Sequence, residues 1–289
     1  MPQVAVVTDS TANLPPEMIA SRDVTVVPLY VVFGPERTER ETDITDYPAF
    51  FEELRRAETL PSTSQPSIGD FMAAYEPLLG EGLDVVSIHI STGLSGTYGS
   101  AVQAAEQLAR DDKGGERIRV VDSATVAGAL GLVVLGASAA ARAGATSEQV
   151  EARAHATRAE LKMWFAVDTL EFFRRGGRIG AAEAWIGSTL RIKPILTVES
   201  ELTPVERVRT SGRVFERLVD YARQRHESGA DAWAVQHISA EDQVQRLIDR
   251  CSEVFGCAPV FMSEAGPVVG THTGPGLLGV GSIPARMLE

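Results

Sequence analysis

Cysteine is nearly absent from this chain of 289 residues. Its two cysteines, Cys251 and Cys257, are spaced off a common helical face and outside the usual zinc pairings, so a disulfide framework is excluded and one or both are expected to be buried as small apolar residues. Basic charge is scarce too. The 27 Lys and Arg stand against 39 Asp and Glu, a formal charge of −12 that favours solubility and repels polyanions, so no nucleic-acid partner is expected. The five histidines, at 89, 155, 226, 237 and 272, form no H-x-H, H-x-x-x-H or H-E-x-x-H spacing, and no metal is expected. No strongly apolar run suggests membrane insertion: residues 123–141 carry no charge, but Ala and Gly dominate them, so they read as a buried helix. The amino-terminal stretch lacks the basic and long apolar segments of a leader, and a cytoplasmic location is expected. Low-complexity tracts and solenoid repeats are missing as well, so the whole chain is expected to fold.

What is present is an alternation of strands and helices. Residues 4–8 and 24–33 are continuous apolar and β-branched runs, each read as one strand, with a short helix after Pro15-Pro16 between them. Further strands are read at 85–90 and 118–121, each followed by a helix, which indicates parallel βαβ units up to about residue 145. Such sheets bind ligands beyond the carboxyl ends of their strands, and here those ends carry Asp9-Ser10, residues 91–97 and Asp122-Ser123. Residues 34–83 are too long for a bare loop; Phe50, Phe51 and Leu54 mark one helix, and Ser67 with Asp70 reads as the capped start of another. Beyond residue 155 the pattern changes to strands at 163–167, 194–198, 202–208, 232–238 and 259–263, with a hairpin turn at Glu199-Ser200-Glu201. The expected architecture is α/β with two domains: 1–155 with an open parallel sheet, and 156–289 with a mixed sheet. The 34–83 excursion is expected to pack toward the second domain, and the ligand to lie between the two.

Three stretches invite chemistry. Residues 91–97, Ser-Thr-Gly-Leu-Ser-Gly-Thr, join a buried strand to a helix, where free backbone N–H groups and the helix dipole favour an anion and Ser95 and Thr97 add hydroxyls; ordinary helix capping explains the same residues equally well. Residues 172–179 gather Arg174, Arg175 and Arg178 beside a Gly-Gly pair, suited to an anionic group or partner, with a solvated charged turn as the plainer reading. Residues 274–279 fit G-x-G-x-x-G, but only ten residues follow, so a nucleotide-binding βαβ unit is excluded and a glycine-rich turn and strand is read instead. Ser95, Asp168 and His272 follow the chain order of a hydrolase triad. The nucleophile elbow is broken, however, because Thr97 stands where it needs glycine.

Thr63-Ser64-Gln65-Pro66-Ser67, residues 90–98 and His272-Thr273-Gly274-Pro275-Gly276 together resemble the DegV family of fatty-acid-binding proteins. The segments at Val7-Thr8-Asp9-Ser10, Val121-Asp122-Ser123, Arg174 to Ile179 and Ile192-Lys193-Pro194-Ile195 follow that family's order, so the resemblance spans essentially the whole chain; one departure is Ser200, where a glycine turn is expected. The resemblance implies a two-domain α/β protein that encloses one long-chain fatty acid and is not itself an enzyme. It implies that the lipid is presented to a separate fatty acid kinase subunit, which uses ATP to convert the carboxylate to an acyl phosphate. By motif position, Thr63, Ser95 and His272 would hold the carboxylate, with Ser64, Gly96 and Thr97 as the supporting loops, and Arg174, Arg175 and Arg178 would dock the kinase. No cofactor and no stable membrane insertion are implied, only transient membrane contact for lipid exchange. A serine hydrolase using Ser95, Asp168 and His272 is the alternative. A carboxylate taken from water needs donors, which the Ser95 loop, the Thr63 hydroxyl and a protonated His272 would supply. The Ala- and Gly-rich helix, Phe165 and Phe261 are candidates for the lipid wall, although core packing explains each of them more simply.

Overall fold

A computed structural model describes residues 3–186 and 192–289. Met1 and Pro2, the very start of the stretch searched for a leader, lie outside the described residues. The first sheet is built around β1 (Val4–Asp9), whose alternate residues are buried on both faces between helices. After α1 (Pro16–Ser21), β2 (Val24–Val27) pairs parallel with β1. The run over 24–33 is therefore not one strand. It divides at Pro28, which has no N–H to give a ladder, and β3 (Tyr30–Val32) enters a different, three-stranded sheet. That sheet pairs β3 antiparallel with β4 (Thr38–Arg40) and β5 (Ser62–Ser64), so the 34–83 excursion carries its own small sheet. Its two helices are α2 (Tyr47–Arg56) and α3 (Ile68–Gly80). Ser67 and Asp70 cap α3 reciprocally, as the sequence spacing predicts, and Phe50, Phe51 and Leu54 form the buried face of α2.

The parallel sheet continues with β6 (Asp84–His89), α4 (Thr97–Arg110) and β7 (Ile118–Asp122), giving the strand order β2-β1-β6-β7. The uncharged stretch becomes α5 (Ala127–Arg142), in which every residue except Arg142 is buried. One hydrophobic cluster joins Val6, Ile88, Leu130 and Leu135 to Met163, Ala234 and Ile283, so α5 is packed between the first sheet and the second. Its small side chains permit this double contact.

After α6 (Ser147–Glu160) the second sheet comprises β8 (Lys162–Ala166), β9 (Lys193–Glu199), β10 (Glu201–Val208), β11 (Ala232–His237), β12 (Phe261–Glu264) and β13 (Leu278–Ile283). Its order is β10-β9-β8-β13-β11-β12; only β11 and β12 are parallel, so the sheet is mixed. The glycine-rich 274–279 segment is a turn running into β13, which fills the sheet centre between β8 and β11. The helices of this half are α7 (Glu171–Arg175), α8 (Ser211–Glu227), α9 (Glu241–Phe255) and α10 (Pro267–Thr273). Cys251 is buried and Cys257 exposed, and both are free thiols. The architecture is α/β with two domains, as expected. No helix among the described residues is long and apolar enough to cross a membrane.

Candidate functional site

Between the two sheets lies a narrow cavity of about 90 Å³, lined by residues of both halves of the chain. Most of its wall is apolar: Leu29, Ile90 and Leu94 from the first half, Val126, Ala127 and Ala129 around the start of α5, Met163, Phe165, Phe173 and Val198 from the second half, and Val268 and Val269 on α10. Of the wall candidates in the sequence, the start of the Ala-rich helix and Phe165 face this space. Phe261 is not in its wall; it packs in the core shared with α5.

Thr63, Gln65, Ser95, Arg178 and His272 also line the cavity, and a chain of contacts links them. Thr63 Oγ1 lies 2.8 Å from His272 Nε2. Arg178 donates to the carbonyls of Gly176 (2.8 Å) and Leu94 (3.2 Å), beside Ser95. Gln65 is exposed and leans over Gly96, where a Cβ would come within 2.9 Å of its amide nitrogen, so this group marks the mouth. Thr63 and Gln65 are two residues apart on extended chain and so share a side, a spacing that could have singled out Gln65 from the sequence. Among the other polar wall groups, Gln236 accepts from the Gly128 N–H (2.7 Å) and donates to Ser263 (3.3 Å), Thr11 donates to Asp9 (2.5 Å) and Thr273 donates to the Gly274 carbonyl (3.2 Å).

The loop ahead of α4 is set by its neighbours. Ser95 Oγ bonds Thr97 Oγ1 (2.8 Å) and accepts the Thr97 N–H (3.3 Å), the first free N–H of the helix, while facing the cavity; the cap position itself is Gly96. Thr97 is buried beneath it, and Ser64 points outward, donating to the Gln65 carbonyl (3.3 Å). Ser91 donates to the carbonyl of Ser200 at the β9–β10 turn, where φ is +71°, and Ser200 N–H donates to Ala124 O (3.0 Å). The hairpin tip of the second domain thus fixes the loop of the first.

His272 differs from its expected state. Burial, reinforced by the nearby Arg178 guanidinium, pushes its pKa down to about 4, so the imidazole is neutral near pH 7 and is not a charged donor. With its proton on Nε2 it donates to Thr63 Oγ1, which leaves the Thr63 hydroxyl proton free to reach into the cavity. Nδ1 is buried with no partner among the described residues, and the Gly176 backbone comes so close that a Cβ there would be 2.3 Å away.

The hydrolase alternative is overturned. Asp168 is exposed and paired with Lys193, with no hydrogen bond to His272, while the ring's Nε2 is engaged by Thr63 and Ser95 Oγ by Thr97. No nucleophile–base contact forms, as a triad requires. The three arginines do not form one patch. Arg174 makes two bonds to Glu171 on the surface (2.6 and 2.9 Å), Arg175 donates to the Glu58 carbonyl (2.7 Å), and Arg178 turns into the cavity wall. Away from the cavity, His237, Glu241 and Glu264 bring ligand atoms within 4.8 Å of one another. Two of them already have backbone partners, since Ala240 N–H donates to His237 Nδ1 (3.4 Å) and Ser239 N–H to Glu264 (2.9 Å).

Residues 3–285 match the family model described as uncharacterised protein, DegV family. A DegV domain-containing protein of Streptomyces coelicolor is 40% identical over 280 residues, covering 96% of this chain and 97% of its own. Among solved structures, a DegV family protein of Thermus thermophilus described by its fatty acid binding has a TM-score of 0.86 at 34% identity, covering 97% of this chain and 99% of its own. DegV of Bacillus subtilis, described as a fatty acid binding protein, has a TM-score of 0.85 at 34% identity with the same coverage.

Proposed function

The chain belongs to the DegV family, and from that membership and the cavity we propose that it binds one long-chain fatty acid with its carboxylate at Thr63, Ser95 and His272. The observation that carries this reading is a largely apolar cavity whose wall includes Thr63, Ser95 and His272. Burying an acyl chain is worth about 0.8 kcal/mol per CH₂, so a long tail supplies a large gross driving force, offset by the cost of immobilising it. The head group sets the orientation: Thr63 and Ser95 hydroxyls donate to the carboxylate, and Gln65 is placed to close over it. That solved relatives are described as fatty acid binding supports the same assignment.

The bound acid would then serve as substrate for a separate ATP-dependent kinase subunit that forms the acyl phosphate, this chain acting in the cytoplasm as presenter and not as catalyst. Neutral hydroxyl donors suit that role, because they leave the carboxylate more nucleophilic than a tight arginine pair would. Arg174 and Arg175 lie outside the cavity and are the arginines left to meet the kinase, whereas Arg178 lines the cavity.

Native mass spectrometry of gently purified protein tests the binding reading, with one fatty acid per chain as the expected result. Protein that is repeatedly empty and takes up neither oleate nor palmitate would overturn it. For the presenting role, Arg174→Glu is expected to weaken association with the kinase in a salt-sensitive way at unchanged lipid content. Unchanged acyl phosphate yield would remove that arginine from the interface.

A further inference from the structure

Glu41 follows β4 in the excursion and is 3% exposed, yet among the described residues no cation pairs with it. One carboxylate oxygen accepts the Val268 N–H (2.8 Å), and the other bonds the Ser10 hydroxyl, whose oxygen accepts the Leu29 N–H (3.0 Å). Leu29 and Val268 line the lipid cavity, and so does Thr11 next to Ser10. A single carboxyl group therefore ties together three wall segments from distant parts of the chain. The fit is close, since a Cβ on Gly266 would lie 2.5 Å from Glu41 Oε1.

On its other side Glu41 borders an open cleft that can bring water to it. Among the described residues the titratable groups facing that cleft are Asp9 at the end of β1, Glu17 on α1, Tyr47 on α2, His237 at the end of β11 and Glu264 at the end of β12, with no Lys or Arg. A charged Glu41 thus has two hydrogen-bond donors but a negative neighbourhood.

We propose that Glu41 is a positioning residue that holds the cavity wall closed when protonated, and that its ionisation loosens the wall and speeds lipid exchange. This rests on the fatty-acid reading above. Burial raises the carboxyl pKa to about 7, Ser10 and Val268 pulling it down and Asp9 adding to the rise. In an opened, wetted wall the group would return toward its ordinary 4.5. The open form then binds fewer protons, so the ratio of open to closed rises with pH between those two values and levels off above them. From pH 5.5 to 7.5 the rise is about twentyfold.

The test uses the full chain loaded with the fluorescent fatty acid cis-parinaric acid, displaced by excess oleate between pH 5.5 and 7.5. Exchange of the Val268 and Leu29 amides with deuterium, corrected for intrinsic rates, is followed in protein without added lipid. In the wild type both rates are expected to rise by an order of magnitude across this range. In Glu41→Gln both should stay flat and slow, because the amide oxygen can accept from Val268 while its nitrogen donates to Ser10. Ser10→Ala removes a donor to the carboxylate and should move the wild-type profile to higher pH, which keeps the test open if the Gln variant folds poorly. A flat wild-type profile, or one that Glu41→Gln leaves unchanged, would overturn the proposal. Failure to take up any fatty acid sinks the binding reading instead, and the amide exchange then judges Glu41 alone.

Discussion

Two buried titratable groups pull the stability of this protein in opposite directions as pH changes. His272 stays neutral in the fold down to about pH 4, whereas an unfolded histidine titrates near 6.5. Between those values the unfolded chain binds more protons, so this group's contribution is complete above 6.5 and is lost as pH falls toward 4. Glu41 runs the other way: its folded pKa is about 7 against 4.5 unfolded, so the protonated acid suits the fold and stability falls as pH rises through that window. Each shift corresponds to about 3 kcal/mol at its limit. In urea unfolding from pH 4 to 8, His272→Gln is expected to gain stability relative to wild type toward pH 4, and Glu41→Gln to gain toward pH 8. Variant curves that run parallel to the wild type would show that neither group is perturbed. Thr63, Ser95 and His272 were singled out together by the resemblance of their segments to the DegV motifs, and all three line the cavity. Glu41 was not, since its partner Val268 is 227 residues away. The charge state of His272 was not legible either, because it depends on burial and on Arg178 approaching through the fold.

At the level of elements, a composition without charge was enough to read α5 as buried, and a capping pair was enough to place the start of α3. Among what escaped are the break at Pro28, where tertiary pairing sends β2 and β3 into different sheets, and α10, at seven residues too short to show a helical period. Small residues in α5 were read as composition, but the structure gives them a packing reason. At Gly136 a Cβ would fall 2.4 Å from Thr157 Oγ1 and 3.2 Å from the Met287 carbonyl, and Thr157 is itself buried. Gly136→Ala is therefore expected to destabilise by about 1–2 kcal/mol, overpacking outweighing the gain in helix propensity. Gly99, in the first turn of α4, has nothing within 4 Å of a Cβ, and Gly99→Ala should stabilise by up to about 1 kcal/mol. Thermal or urea denaturation of the two variants side by side decides the matter; equal effects would mean that α5 is not tightly packed against α6.

For the molecule as a whole, that sandwich links the two sheets into one packed body. Met163, Ala234 and Ile283 of the second sheet share a cluster with Val6 and Ile88 of the first, and the β9–β10 turn is bonded to the Ser91 loop and to Ala124. Neither half covers its apolar face alone, since α5 needs both. The chain is accordingly expected to unfold in one cooperative transition despite its two domains. The three tryptophans, Trp164, Trp185 and Trp233, all lie in the carboxyl-terminal half, so their fluorescence follows that half while far-ultraviolet circular dichroism follows both. The two signals should give coincident midpoints in urea. A circular-dichroism transition that separates from the fluorescence transition would mean that the sheets fold independently, and that the cavity between them is a hinge and not a shared core. Bound fatty acid would raise a single midpoint for both probes, because a ligand that contacts both sheets stabilises only the state in which they are packed together.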